Sequence, residues 1–322
     1  MSEKMRKAMW ICFVVLLFSV FVLEGVEAQP YPTKPILLVN PMGAGSASDV
    51  LMRAVLTMTP KYLEQPFVLE LKPGGSGAIG TDFVAKATPD GYTLLCGGPG
   101  WNSNLPAIEG RSKGPESFDA VCQINSSSSF VLVRADSPFK TLKDVVEWAK
   151  ANPGKLVFGH TGVWGAADLF WKQLRQQTGI VTRDVSHDGG GPMMTALLGG
   201  HIEIGITAPP VAMPQIQAGK LRALTYNLNK RFRQLPNVPT AKEEGFNVVD
   251  YFWRTVLAPK GTPRPIINKL ADVFKKVTED KAFIDAIAKF GEEPDYIGSE
   301  EFTKVWLEEY EARKELAKIF KK

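Results

Sequence analysis

Ile36-Leu-Leu-Val39 runs straight into Asn40-Pro-Met-Gly43-Ala-Gly45-Ser46-Ala-Ser48-Asp49, an aliphatic run ending in a loop of glycine and serine. With no polar face, the run reads as a strand covered by helices on both sides. The unit recurs: Gly74-Gly75-Ser76-Gly77 follows Phe67 to Leu71, and a further glycine cluster stands at Gly189-Gly190-Gly191. Other short apolar runs, at Tyr92 to Leu95, Val131 to Val133, Leu156 to Phe158, Ile202 to Ile206 and Leu221 to Tyr226, alternate with helical patterns. This alternation predicts an α/β fold with parallel or mixed sheets, not a sandwich or a bundle.

The glycine loops are the first candidates for chemistry. A loop after a parallel strand opens onto a helix N-terminus, where free N–H groups and the positive dipole end hold an anion without any Lys or Arg. For any single loop a tight turn alone explains the glycines equally well.

The helices between the strands carry their own signals. Thr141-Leu-Lys-Asp144 is a capping box, and Asn152-Pro153-Gly154 ends the helix it opens. Pro263 and Pro265 open a helix whose Ile266, Leu270, Val273, Phe274 and Val277 share one face. In the last helix Phe302, Trp306, Tyr310, Arg313, Ala317 and Phe320 form a stripe that packs on a lobe. Ser126 to Ser129 precedes a strand and suits a crossing between lobes.

Residues 1–28 stand apart. Lys4, Arg6 and Lys7 precede an apolar run, Ala8 to Leu23, and Val26-Glu27-Ala28 supplies the small residues of a cleavage site. This order predicts a secretory leader cut after Ala28. The chain beyond it is about twice the commonest domain size, which predicts two lobes. Lys and Arg total 38 against 34 Asp and Glu, too even a balance for a nucleic-acid partner. Only three His and three Cys are present, without zinc-ligand spacing, so no metal or other cofactor is expected. Cys96 and Cys122 lie beyond the leader; an exported protein would allow them to pair, and two buried free thiols are the plainer reading.

Two enzymatic readings fail on particular residues. Gly75-Ser76-Gly77-Ala78-Ile79-Gly80 fits a dinucleotide fingerprint, but the next strand runs into Cys96-Gly97-Gly98 where a ribose-binding acid belongs. No nucleophile elbow surrounds Ser46 or Ser76. His160 and His187 follow predicted strands at the edge of a cleft, whereas His201 reads as structural. Trp164 suits either lobe packing or a stacking wall for a ligand.

Eight ordered motifs resemble the Bug-type substrate-binding proteins of tripartite tricarboxylate transporters. Tyr31-Pro-Thr-Lys-Pro-Ile36 is similar to the mature start of that family, Pro41 to Asp49 to its first loop, and Lys72 to Gly80 to its second. Pro89-Asp-Gly-Tyr-Thr-Leu-Leu95, Leu197 to Gly200, Ala218 to Ala223, Val238-Pro-Thr240 and Leu257 to Pro263 follow in order. The resemblance implies a two-lobed periplasmic binding protein of the Venus-flytrap type II kind, with a mixed sheet in each lobe and a hinge between. It implies lobe 1 at 29–125 plus 226–322, lobe 2 at 126–225, and no catalysis. The expected partners are a small organic carboxylate and membrane transporter subunits, with the protein itself a monomer. The ligand-binding positions it implies are Met42, Gly45, Ser46, Ser48, Gly75, Ser76 and Gly77 in the first lobe. In the second they are His160, Thr161, Trp164, Gly165 and Ala166, then His187, Asp188 and Gly189, and finally Thr207.

The chain departs from the family at the second lobe. Val185-Ser-His-Asp-Gly189 replaces a Tyr-Lys pair by His187 and Asp188, Asp168 stands where the family has a His, and Thr207-Ala208 replaces Asp-Asn. Two acids at the far end of the cleft would disfavour a second ligand carboxylate, so a monocarboxylate is expected over citrate-like acids. Asp49, at a helix start, reads as structural. The rival reading is a periplasmic hydrolase or isomerase using His187 and Asp188 as an acid–base pair, or a sensory binding protein.

Overall fold

The computed structural model describes Glu3 and residues 31–320, with the side chains of Ile319 and Phe320 excepted. The expected leader, Glu3 aside, lies outside the described residues. The chain divides into Met1–Thr33 and Lys34–Lys322, and in the first unit only Glu3, Tyr31, Pro32 and Thr33 are described. Among the described residues no helix is long and apolar enough to cross a membrane.

The second unit begins with β1 (Ile36–Asn40), α1 (Ala47–Met58), β2 (Phe67–Leu71), α2 (Ala78–Ala85), β3 (Thr93–Gly97), α3 (Leu105–Glu109) and β4 (Phe118–Ser127). Next come β5 (Phe130–Arg134), α4 (Leu142–Ala151), β6 (Val157–His160), α5 (Ala166–Thr178), β7 (Arg183–Ser186), α6 (Gly190–Leu198), β8 (Ile204–Thr207), α7 (Pro209–Gln217) and β9 (Leu221–Tyr226). The chain closes with β10 (Phe252–Pro259), α8 (Arg264–Glu279), α9 (Lys281–Ala288), β11 (Ile297–Gly298) and α10 (Ser299–Phe320).

These strands form two mixed sheets, in the orders β11-β4-β10-β3-β1-β2 and β7-β6-β8-β5-β9. In the first, β1 pairs parallel with β2 and β3, while β10 runs antiparallel between β3 and β4. In the second, β6 is parallel to β7 and β8, and β5 antiparallel to β8 and β9. The fold is thus the two-lobed α/β arrangement expected. The step from one sheet to the other is only Ser128-Ser129, inside the serine run singled out in the sequence.

Each sheet has its own core. Val39, Leu95, Trp253, Leu257, Phe302 and Trp306 belong to the first, so the aromatic stripe of α10 is structural. Phe158 stacks on Trp171 at 4.6 Å in the second. Thr141 and Asp144 form the predicted reciprocal cap, and α4 ends at Asn152. On α8 the predicted Leu270, Val273, Phe274 and Val277 are buried, while Ile267 takes the place expected of Ile266, which is half-buried.

Cys96 and Cys122 are free and buried. Both register against Val256 from opposite sides of β10, so two strand spacings, about 9–10 Å, separate them. A disulfide requires Cα atoms within about 7 Å.

Candidate functional site

A cavity of about 110 Å³ lies where the loops of the two sheets meet. From the first sheet's side it is walled by Met42, Ser46, Ser48, Ser76 and Trp101, and from the second by Thr161, Gly165, Ala166, Gly190 and Thr207. Its remaining wall is Phe252, Trp253 and Arg254 of β10, with Asp250 and Ser129 from the segments that connect the sheets.

Several helices begin at this cavity. Ser46 is the N-cap of α1, its Oγ accepting from the Asp49 N–H at 3.2 Å. Gly165 is the N-cap of α5, and Gly189 that of α6. First-turn N–H groups lack intrahelical acceptors and carry the positive end of the dipole, so the α1 and α5 termini favour an anion between them. Pro209 and Pro210 open α7 and bring no N–H there. The serines are held in place: Ser48 Oγ donates to Asn40 Oδ1 at 3.1 Å and lies 3.2 Å from Ser46 Oγ. Asp49 folds this loop, as its place at the helix start suggests, accepting from Gly45 N at 2.9 Å and from Arg53 Nε at 2.8 Å.

The sequence candidates divide into three groups. Met42, Ser46, Ser48, Ser76, Thr161, Gly165, Ala166 and Thr207 line the cavity. Gly75, Gly77, His187 and Asp188 line an adjoining recess of about 280 Å³, which Met42, Ser76 and Thr161 also border. Gly45, His160, Trp164 and Gly189 line neither.

His160 is buried, with Nδ1 2.9 Å from the Gly162 carbonyl and Nε2 3.9 Å from Asp168. Burial pushes its pKa down, against the pull of Asp168. Asp168 is spent inside the second lobe, where it accepts from Trp164 N at 2.7 Å and from Lys172 Nζ at 2.7 Å. It therefore does not present a free acid to the cavity, and the repulsion expected from it toward a second carboxylate does not apply. Nor do His187 and Asp188 reach the cavity wall. His187 N donates to the His160 carbonyl at 2.9 Å, and its Nδ1 has no hydrogen-bond partner among the described residues.

Trp164 packs between the lobes. Its ring joins Leu105, Ile108 and Ala317, its Nε1 donates to Glu109 at 2.6 Å, and its carbonyl accepts from Asn104 Nδ2 at 2.8 Å. The lobes also meet where Gly43 N donates to the Asp188 carbonyl at 3.2 Å, and where Val163 N donates to Ser76 Oγ at 3.0 Å. Ser76 does this from a left-handed φ of 57°.

Arg254 and Asp250 were not anticipated from the sequence. The Arg254 side chain is 3% exposed, with Nη1 donating to Asn125 Oδ1 at 3.1 Å and 3.5 Å from Glu292 Oε1. Its Nη2 has no partner among the described residues, and neither does Asp250 Oδ1. Burial lifts the Asp250 carboxyl to about 6. The available signal was a single Arg inside an apolar run, Phe252-Trp-Arg-Thr-Val-Leu257, since a lone charge in a buried strand needs a reason. Among the described residues no group of three His, Cys, Asp or Glu is placed to hold a metal ion.

A cavity closed by two mixed sheets and their helix N-termini defines the two-lobed α/β binding proteins. This chain belongs to the tripartite tricarboxylate transporter family receptors, TctC, whose pattern it matches over residues 51–321. It is 34% identical over 282 residues to the UPF0065 protein in the gbd 5′ region of Cupriavidus necator, covering 86% of this chain and 84% of that protein. The structure of the periplasmic binding protein BugD superposes with a TM-score of 0.85 at 28% identity, over 89% of this chain and 98% of that one. R. palustris Rpa4515 with adipate gives 0.84 at 26% identity, over 89% and 97%. The resemblance to Bug-type proteins drawn from the motifs therefore holds.

Proposed function

We propose that this chain is an exported, non-enzymatic solute-binding protein that captures one small organic carboxylate between its lobes. It hands that ligand, as a monomer, to the membrane subunits of a tripartite tricarboxylate transporter. In this reading the leader is removed after Ala28, lobe 1 comprises 29–125 plus 226–322, and lobe 2 comprises 126–225. The observation that carries it is the interlobe cavity onto which the N-termini of α1 and α5 open beside Ser46, Ser48 and Ser76. Those N–H groups and hydroxyls receive the carboxylate, while Met42, Trp101, Phe252 and Trp253 accept the carbon skeleton. One water needs about 10–15 Å³ of such volume, so 110 Å³ has room for a small organic acid rather than a lone ion. Rpa4515, to which this chain is similar, carries adipate.

The hydrolase reading has less support, because His187 and Asp188 sit in the adjoining recess rather than against the cavity. Mass spectrometry of the small molecule released on denaturing purified protein is the test. An unaltered carboxylate in stoichiometric amount supports binding, and turnover of that compound by stripped protein refutes it. A mature N-terminus at Gln29 in the periplasmic fraction tests export, and retention of residues 1–28 in membranes refutes it.

A further inference from the structure

The cavity wall holds two buried side chains of opposite charge, each with one polar atom that has no hydrogen-bond partner among the described residues. Asp250 is 2% exposed. Its Oδ2 accepts from Ser129 Oγ, and its N–H donates to the Asn227 carbonyl at 2.8 Å. Asn227 in turn donates from its N–H to the Ser129 carbonyl at 2.9 Å and from Nδ2 to Ser129 Oγ at 3.3 Å. The carboxylate is thus fixed by the two segments that connect the sheets, with Oδ1 left over. No cation forms an ion pair with it among the described residues. Arg313, which acts on it at longer range, is itself held by Glu309 at 3.3 Å.

Arg254 differs in this respect. It is compensated by Glu292, and Glu292 is held by Asn125 Nδ2 at 2.6 Å. Its Nη2 donor lacks an acceptor among the described residues. Unsatisfied polar atoms this deeply buried are costly, and these two belong to residues that line the cavity, where a ligand can supply the missing partners. The requirement is specific: Oδ1 of Asp250 asks for a hydrogen-bond donor, best a charged one, and Nη2 of Arg254 asks for an acceptor.

We propose that Asp250, positioned by Ser129 and Asn227, and Arg254 form a second pole of the cavity. This pole selects carboxylates whose far end carries a hydrogen-bond donor, an ammonium or a hydroxyl, over plain mono- and dicarboxylates. The proposal rests on the binding reading above and specifies the ligand class of the same cavity. It also relocates the distal acid from His187-Asp188 and Asp168, where the sequence suggested it, to Asp250. A second carboxylate there accepts from Arg254 Nη2 but meets the Asp250 carboxylate, which forms no ion pair among the described residues, and a methyl end satisfies neither atom.

Four probes differing only at the far end test this: butanoate, 4-hydroxybutanoate, 4-aminobutanoate and succinate. Each is titrated by calorimetry into protein stripped of ligand by unfolding and refolding. The expected order puts 4-aminobutanoate and 4-hydroxybutanoate at least tenfold tighter than butanoate and succinate. This ranking uses the unmodified chain and needs no variant to fold. Asp250→Asn is expected to remove most of the preference for 4-aminobutanoate over butanoate. Succinate or butanoate binding as tightly as the donor-bearing acids overturns the second pole alone, as does an ammonium preference that survives Asp250→Asn. Failure of all four to bind overturns the second pole together with the carboxylate reading of the cavity.

Discussion

Gly43→Ala adds one methyl group at a point where the two lobes touch. An ideal Cβ on Gly43 stands 2.4 Å from the Asp188 carbonyl oxygen and 3.6 Å from its carbon, and no other atom is near it. Real Cβ contacts stay above 3.0 Å, so the Asp188 backbone must withdraw by at least about 0.6 Å, and the obstacle is main chain that cannot rotate away. Overpacking of this kind costs about 1–3 kcal/mol. The whole cost falls on the closed arrangement, because Gly43 meets nothing else. At about 1.4 kcal/mol per tenfold, a ligand that needs closure then binds roughly 5- to 150-fold more weakly. Stability moves the other way. Gly43 has no left-handed φ, and replacing such a glycine by Ala stabilises by about 0.4–1 kcal/mol through the unfolded chain. Calorimetric titration of the co-purifying carboxylate, paired with a thermal melt, reads both signs. Full affinity at an unchanged or raised melting temperature would show that the Gly43–Asp188 contact is not part of the ligand-bound state.

Trp164→Ala removes a nearly buried ring whose partners Leu105, Ile108 and Ala317 lie across the seam, in a class of substitution that costs about 3–5 kcal/mol. Weaker ligand binding and a larger radius of gyration by small-angle scattering are expected, and an unchanged radius with unchanged affinity refutes the seam. For Asp250, burial raises the folded carboxyl to about 6 from 3.8, so the folded state holds the proton more tightly than the unfolded chain. Its contribution to stability is therefore full below about pH 4 and lost as pH rises through 6. Asp250→Asn is expected to exceed the parent by up to about 3 kcal/mol at pH 7 and to match it at pH 4 in urea melts; a pH-independent difference contradicts this. Cys96 and Cys122 are expected to resist a thiol reagent until denaturation, because both are buried and burial pushes the Cys96 thiol up to about 12 and Cys122 higher still. Denatured mature protein then titrates two thiols, and a third reports Cys12 of an uncut leader.

What was legible in the sequence is what local patterning controls. β2 and β9 have the bounds read from their apolar runs, and the Thr141 cap needed only four residues. β4, β10 and β11 were not anticipated. β4 buries Gln123 and Asn125, which depend on Asp295 and Glu292 supplied from far along the chain. β7, an exposed strand at the end of its sheet, has no apolar run, and the sequence reading placed it only as the strand that His187 follows. β10 carries Arg254, whose partners Asn125 and Glu292 are equally remote. The same remoteness hid the second wall of the cavity. The glycine loops gave the positions of Ser46 and Ser76, but Asp250 and Arg254 become neighbours of that loop only once the chain has returned from the second sheet.

That return also sets an order of assembly. β10 lies between β3 and β4, yet it follows the whole second sheet in sequence. Until residues 252–259 are available, the first sheet consists of two unconnected pieces, and Trp253 is missing from the core it shares with Phe302 and Trp306. The second sheet, by contrast, is drawn from one continuous stretch, Phe130 to Tyr226. A chain emerging N-terminus first completes its inner lobe while the outer one still waits for its central strand. A fragment ending before Phe252 is accordingly expected to show native-like protection from hydrogen exchange in β5, β6, β8 and β9 and little in β1 and β3. Under the proposed export, late completion of the lobe that begins the chain leaves that lobe unfinished until the last quarter of the chain has followed.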